Sequence, residues 1–237
     1  MKGSADGEEL LRGPTLVVSA EGTRLGVGLL REGEWAALEE REGNAVEQLP
    51  GLARKARADA GIAPRHWIYS GGPGTLLGLR FTSLLLGTWA RILPEGPATP
   101  DAPSPLSHRF SGMVWTARAL WRQDPRPFRL LHRWRQGAWN GLLVRGPHPT
   151  ESELFVVEGD PEDDPEEGPR RELLLRADAR PSLPGAETVR LPALSTLREH
   201  LNTPGFLTPT RGFPPLQAGS SHYRKWTGGI HGAAPAP

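Results

Sequence analysis

Ile68-Tyr69-Ser70-Gly71-Gly72-Pro73-Gly74-Thr75-Leu76-Leu77-Gly78-Leu79-Arg80-Phe81-Thr82-Ser83-Leu84-Leu85-Leu86-Gly87-Thr88-Trp89-Ala90 reads as strand, glycine turn and helix. His66 to Tyr69 is a short run of apolar and β-forming residues. Gly71, Gly72, Pro73 and Gly74 supply the backbone freedom for a sharp reversal, and Thr75 is placed to cap the helix that follows. Between Leu76 and Ala90 the only charge is Arg80. A helix lying on a sheet with its back to water carries a polar stripe, and this one has none, so both its faces call for cover. The cover is either a second layer of the same domain or another protein chain. Gly78 with Thr82, and Ser83 with Gly87, are small residues four apart, a spacing that lets another backbone approach closely. The run is about fifteen residues with an arginine inside, short of the roughly twenty that cross a bilayer.

Upstream, Thr15–Ser19, Thr23–Arg31 and Glu34–Glu39 are β-prone runs separated by Glu21-Gly22 and Glu32-Gly33, both hairpin signals. Three antiparallel strands are expected, after an arm over residues 1–14 with no periodicity. Leu49, Leu52, Ala53, Ala56 and Ala60 then recur at helical spacing within Asn44–Ala60, with Asn44 as N-cap and Gly61 as C-cap. Pro50 either kinks this helix or begins it. The unit from residue 15 to residue 92 is therefore βββαβα, the first lobe of an α/β protein.

Residues 93–106 hold five prolines (Pro94, Pro97, Pro100, Pro103, Pro105), which excludes helix and central strand and marks a connection. A second, reduced lobe is expected over residues 107–202. It contains a helix from Gly112 to Trp121, strands over Phe128–Arg135, Ala138–Arg145, Glu153–Glu158 and Arg171–Leu175, and a short helix over Leu194–Leu201. The acidic run from Asp160 to Glu167 reads as a solvated loop, and the proline- and glycine-rich segment 203–237 as an extended tail.

The composition narrows the chemistry. A formal net charge of +1 over 237 residues argues against a dedicated nucleic-acid binder, and without cysteine there is neither a thiolate metal site nor a thiol nucleophile. The N-terminus lacks the basic-then-apolar pattern of a secretory signal, so a soluble cytoplasmic protein is the expectation. No two histidines stand at i and i+4, there is no Gly-x-Ser-x-Gly elbow, and the glycine turn lacks the Lys-Ser/Thr of a P-loop. Phosphate binding at that turn would rest on backbone amides alone. The basic aromatic series Arg118, Trp121, Arg122, Arg126, Arg129, His132, Arg133, Trp134, Arg135 and Trp139 would suit RNA only on one open face. Tryptophans on strands are more often core.

Gly72 to Arg80 resembles the G-P-G-S-F-T-G-L-R signature of the TsaB (YeaZ) family, matching at six of nine positions, with Thr75 for Ser. The family is the dimerisation subunit of the bacterial machinery that makes threonylcarbamoyladenosine on tRNA. The resemblance implies an actin-like ATPase (ribonuclease H-like) fold of two lobes and a chain that is not itself an enzyme. It also implies an interface with a TsaD-type catalytic subunit, or with a second copy, built from the two helices of the first lobe. Leu49, Leu52, Ala53, Gly78, Arg80, Thr82, Ser83 and Gly87 are the positions it assigns to that interface. Contact with tRNA would be indirect, and no cofactor would be bound by this chain alone, a nucleotide lying only at a partner interface. The family's motifs are altered here. Ser19-Ala20 stands where its first strand ends in Asp-Thr, Asn44 where it has a histidine, and Arg133-Trp134-Arg135 where it has Asp-Ala-Arg. An active actin-fold ATPase or phosphotransferase would need a metal-anchoring carboxylate at a strand end near the glycine turn, and Ser19 is not one. A paralogue with a different protein partner is the remaining alternative.

Overall fold

The computed structural model describes residues 13–21, 24–61, 63–72, 76–92, 106–135, 138–158, 171–175 and 186–214. The arm before residue 13, Pro73 to Thr75, the proline run 93–105, the acidic loop and the chain beyond residue 214 lie outside them.

β1 (Thr15–Glu21) is buried along its whole length, as its nearly unbroken apolar sequence requires of a strand flanked on both edges. It pairs antiparallel with β2 (Arg24–Arg31), which pairs antiparallel with β3 (Glu34–Glu42). Glu32 and Gly33 join β2 to β3 with φ of 55° and 77°, the positive pair that a tight hairpin demands. On its other side β1 pairs parallel with β4 (His66–Ser70), and β4 pairs parallel with β5 (Leu106–Phe110). β11 (Thr208–Arg211) closes that edge antiparallel to β5. The sheet runs β11-β5-β4-β1-β2-β3.

This pairing moves the boundary between the lobes. Ser107 lies inside the first sheet rather than at the start of the second lobe. The segment 203–214 carries an edge strand rather than an extended tail. The proline run 93–105 itself lies outside the described residues, and its composition is blind to which sheet the strands on either side join.

α1 (Ala45–Ala60) begins where the Asn44 side chain accepts a hydrogen bond from the Val46 amide and ends at Gly61, whose φ of 62° is the left-handed stop. Pro50 lies within it, so the helix neither begins there nor breaks there. α2 (Leu76–Ile92) follows the glycine turn. Both helices cover one face of the first sheet. Leu49, Leu52 and Ala56 of α1 and Leu86 and Trp89 of α2 pack on Leu16, Val18, Leu25 and Val27.

α3 (Gly112–Gln123) lies on the opposite face. Its first seven residues are buried. Met113, Val114, Trp115 and Ala117 share a core with Val17, Ile68 and Phe110 of the first sheet and with Leu130, Leu142 and Leu173 of the second. That second sheet comprises β6 (Phe128–Arg135), β7 (Ala138–Val144), β8 (Leu154–Glu158), β9 (Glu172–Leu175) and β10 (Glu187–Val189), in the order β10-β9-β6-β7-β8. β6, β7 and β8 are antiparallel neighbours, while β9 is parallel to β6 and β10 parallel to β9. The second sheet thus repeats the order and directions of β1 to β5.

Candidate functional site

The parallel strands β1, β4 and β5 all end at one edge of the first sheet, the edge at which open α/β sheets place their ligands. Alternation along β1 sends Leu16, Val18 and Ala20 to the α1–α2 side, and therefore Val17, Ser19 and Glu21 to the side of α3. Glu21 ends up 1% exposed. Its Oε1 accepts a hydrogen bond of 2.9 Å from the Gly112 amide, the first of α3. The Gly72 backbone and the Ser70 hydroxyl lie beside this carboxyl and favour its charged form. Ser70 in turn accepts from the Ala20 amide at 2.9 Å.

The ends of β4 and β5 are locked to each other by backbone. The Gly71 amide donates to the Phe110 carbonyl at 2.8 Å, and the Gly112 amide reaches the Gly72 carbonyl at 3.1 Å. Gly72 has φ of 124°, a conformation that side chains resist. Gly112 is a glycine for another reason: a Cβ there would sit 1.4 Å from Glu21 Oε2.

Burial pushes the Glu21 carboxyl well above the usual carboxylate range. The Gly112 amide, the Gly72 backbone and the Ser70 hydroxyl pull it partly back, and the charge of Glu151 pushes it further up. Glu21 Oε2 has no hydrogen-bond partner among the described residues. Glu151 is itself held by Arg109 Nη2 at 2.9 Å and the Thr208 hydroxyl at 3.0 Å. Among the described residues there is no group of three or more His, Asp or Glu side chains that could hold a metal ion.

This arrangement corrects the reading at Ser19. The first strand runs two residues further than its apolar pattern suggested and ends in a carboxylate beside the glycine turn. Glu21 next to Gly22 reads as turn chemistry, and only the register against β2, Glu21 opposite Arg24, shows it to be strand.

The interface positions separate into two groups. Leu49, Leu52 and Thr82 are 0%, 3% and 2% exposed and belong to this chain's own core, because the helical stripe that carries them is the one facing the sheet. Ala53 packs half-buried against the same core. The Thr82 hydroxyl bonds back to the Gly78 carbonyl at 2.8 Å, and Ser83 Oγ donates to the Phe213 carbonyl at 2.6 Å. The small-residue face is therefore occupied from within at Thr82 and Ser83. Arg80 is exposed, and a Cβ on Gly87 would meet nothing within 4 Å. Along the same stripe Leu84 is 72% exposed, and Ile92 at the end of α2 is 65% exposed. With Val46 of α1 they are the large apolar side chains left exposed among the described residues. Of the glycine turn, Gly71 and Gly72 are buried at the end of β4, while Pro73 and Gly74 lie outside the described residues.

The basic aromatic series does not form one open face. Arg118 is buried, donates twice to the Pro149 carbonyl and lies 5.2 Å from the Phe206 ring centre. Arg129 is buried against Glu172, Arg122 pairs with Glu199 at 2.8 Å, and Arg126 with Asp124 at 2.8 Å. His132 and Trp139 are buried, and Arg133 stacks over Trp139. The side chains of Trp134 and Arg135 lie outside the described residues.

Two sheets of like order and direction, each a three-stranded meander extended by two parallel strands, meet across a shared helix. The fold is actin-like. No protein-family model matches the chain, and no curated protein does. Among solved structures the actin-like chain is similar to YeaZ from Pseudomonas aeruginosa, at 16% identity over 69% of this chain and 75% of that one, with a TM-score of 0.49. It is similar also to component A of the (R)-2-hydroxyglutaryl-CoA dehydratase of Acidaminococcus fermentans, at 11% identity over 61% and 47% of the two chains, with a TM-score of 0.33. The ROK hexokinase of Thermus thermophilus gives 17%, 62%, 50% and 0.31. The actin-like assignment rests on the strand order itself. Among the described residues no helix is long and apolar enough to cross a membrane.

Proposed function

We propose that this chain is a non-catalytic partner subunit of the TsaB kind. Its role would be to support threonylcarbamoyl transfer to tRNA adenosine by a TsaD-type catalytic subunit that it binds through the outer surface of α1 and α2. The observation that carries the reading is the outer side of that layer. Leu84 and Ile92 lie open on α2, Val46 on α1, and Gly51 and Gly87 have empty space above them. Burying a leucine as exposed as Leu84 is worth about 1.5 to 3 kcal/mol, so the surface gains by being covered. The sequence resemblance at Gly72 to Arg80 leads directly into this same helix. The interface is therefore assigned to Arg80, Leu84, Gly87, Thr88 and Ile92, in place of the buried Leu49, Leu52 and Thr82. A second copy could dock on the same surface, and tRNA would be touched through the catalytic partner.

The test is recovery of native partners on the full chain, beside a Leu84→Asp variant. Capture of a TsaD-type subunit by the wild type, at least tenfold weaker with Leu84→Asp while the melting temperature holds within a few degrees, supports the reading. Capture that Leu84→Asp leaves unchanged removes the surface from the argument, and no TsaD-type subunit in the eluate removes the partner.

Glu21 favours one competing reading, an actin-fold ATPase, because it supplies a carboxylate at the strand end where such an enzyme needs one. Its burial counts against metal binding, since hard cations take ionised, accessible carboxylates. Magnesium-dependent ATP hydrolysis by the purified chain, abolished by Glu21→Gln, would establish the enzyme and overturn the non-catalytic reading.

A further inference from the structure

The outward ridges of α1 and α2 set positive charge around an apolar centre. On α1, Glu47, Gly51, Arg54 and Ala58 recur at i, i+4, i+7 and i+11, all exposed, opposite the buried Leu49, Leu52 and Ala56. On α2, Arg80, Leu84, Thr88 and Arg91 recur at i, i+4, i+8 and i+11, also exposed, opposite the buried Thr82, Leu86 and Trp89. Arg57 stands on the flank of α1 shared with the half-buried Ala53 and Ala60. The other flank belongs to Lys55, which pairs with Glu39 of β3, and to Asp59 one turn further on. Glu47 is therefore the sole acid on the two ridges. Arg54, Arg57 and Arg91 have no ion-pair partner among the described residues. Arg57 and Arg91 occupy last turns, where the helix dipole favours a cation, but Arg54 lies in mid-helix and has no such reason. In a chain of formal net charge +1 this is a local concentration of like charge, with Leu84 and Ile92 open at its centre.

We infer that this surface, on the partner reading given above, takes a different protein whose apolar contact is rimmed by aspartate and glutamate, and that it rejects a second copy of this chain. Charge decides among the occupants. A twofold axis brings the same ridges together, arginine facing arginine, with one Glu47 per chain to offset them. Like charges set against each other across an interface cost affinity and suppress the wrong partner. The chain's own segment 215–237 starts beside the surface, since Ser83 of α2 bonds to the Phe213 carbonyl and Tyr69 to the Pro214 carbonyl. It contains Arg224 and Lys225 and no acid, so it is repelled as well. RNA would engage the arginines but leave Leu84 and Ile92 uncovered. An acidic protein surface answers both the charge and the apolar centre, and Gly51 and Gly87, with nothing within 4 Å of a Cβ, leave room for its close approach.

The experiment reads capture from a lysate of the native organism by the full chain, by Leu84→Asp, and by the double variant Arg54→Glu with Arg91→Gln. Each is run at about 50 mM and about 500 mM sodium chloride, between which the screening length falls from above 10 Å to about 4 Å. Bound proteins are identified by mass spectrometry. The expected result is an acidic protein that high salt releases. At low salt Leu84→Asp loses it by about tenfold or more and the arginine variant by about fivefold or more, with melting temperatures held within a few degrees. A TsaD-type subunit captured without regard to the arginines or to salt keeps the partner reading and overturns this inference. An acidic protein of another kind with the expected dependence keeps the inference and removes that partner. The absence of any Leu84-dependent protein overturns the inference, as does RNA retained through the arginines regardless of Leu84. Sedimentation of the purified chain at the lower salt should give a monomer, and a dimer that Leu84→Asp dissociates overturns the rejection of a second copy.

Discussion

Gly112→Ala is the sharpest probe of the strand-end junction. A Cβ on residue 112 would lie 1.4 Å from Glu21 Oε2, 2.2 Å from its Cδ and 2.6 Å from its Oε1. Carbon and its non-bonded neighbours settle near 3.5 Å, so the carboxyl group or the helix must move by about 2 Å. Glu21 cannot swing away, because it is 1% exposed and its Oε1 is held by the Gly112 amide. Overpacking of this kind costs about 1 to 3 kcal/mol, and displacing the carboxyl from the Gly112 amide costs roughly 1.5 to 3 more. The alanine returns about 0.5 to 1 kcal/mol through its reduced backbone freedom in the unfolded chain. The net expectation is about 2 to 5 kcal/mol. For a chain of this size, where each kcal/mol moves the midpoint by about 2 to 4 °C, that is a drop near 10 °C. The assay is a double-mutant cycle by urea denaturation and thermal melting. With Glu21→Ala already in place the collision has no partner, and the added Gly112→Ala should be nearly neutral, a coupling of at least about 2 kcal/mol. A Gly112→Ala chain within about 1 kcal/mol of wild type, or an equal cost in both backgrounds, refutes the geometry argued here.

Three further outcomes follow from single residues. Glu21 has its folded pKa raised above 4.5, so its contribution to stability is complete below that value and lost as pH rises through the folded pKa; the melting temperature of Glu21→Gln relative to wild type should therefore climb as pH rises, and a flat difference would contradict the burial. His200 is depressed from 6.5 to about 4, first by burial and then by the charges of Arg122 and Arg118, so wild type should lose stability as pH falls through that window while His200→Phe does not. Ser83→Ala removes the bond to the Phe213 carbonyl and should cost about 1 kcal/mol, and Ser83→Trp should lower the melting temperature outright. A Ser83→Trp chain that melts like wild type would return Ser83 to the outer surface.

Local chemistry in the sequence anticipated what is local in the fold. Asn44 and Gly61 bound α1, Glu32-Gly33 turns the hairpin, and the alternation of apolar runs with glycine turns yields the meander, the crossover helices and the actin-like class. What the sequence did not show depends on partners far away in it. Glu21 looks like a turn residue because its donor comes from α3, 91 residues away, and Gly112 looks like an ordinary helix start because the group it accommodates belongs to β1. Ser83 reads as a small residue awaiting a neighbour, and the neighbour is the segment at Phe213, which has no periodic pattern to announce it. Leu49 and Leu52 already lay on the apolar stripe of α1. Assigning them to an outer interface followed the resemblance where the periodicity pointed to the core.

β11 gives the molecule a clock. Thr208 to Arg211 pair with Leu106 to Arg109, and Thr210 and Ser107 bond directly across a separation of 103 residues. During synthesis the edge of β5 stays open until almost all of the described chain has left the ribosome, although the rest of that sheet is made in the first half. A chain stopped before Thr208 exposes an unpaired strand edge, the feature that templates aggregation. Cells making this protein thus have reason to translate its last third without delay, and truncated products should be found among insoluble material rather than as half-sized folded lobes.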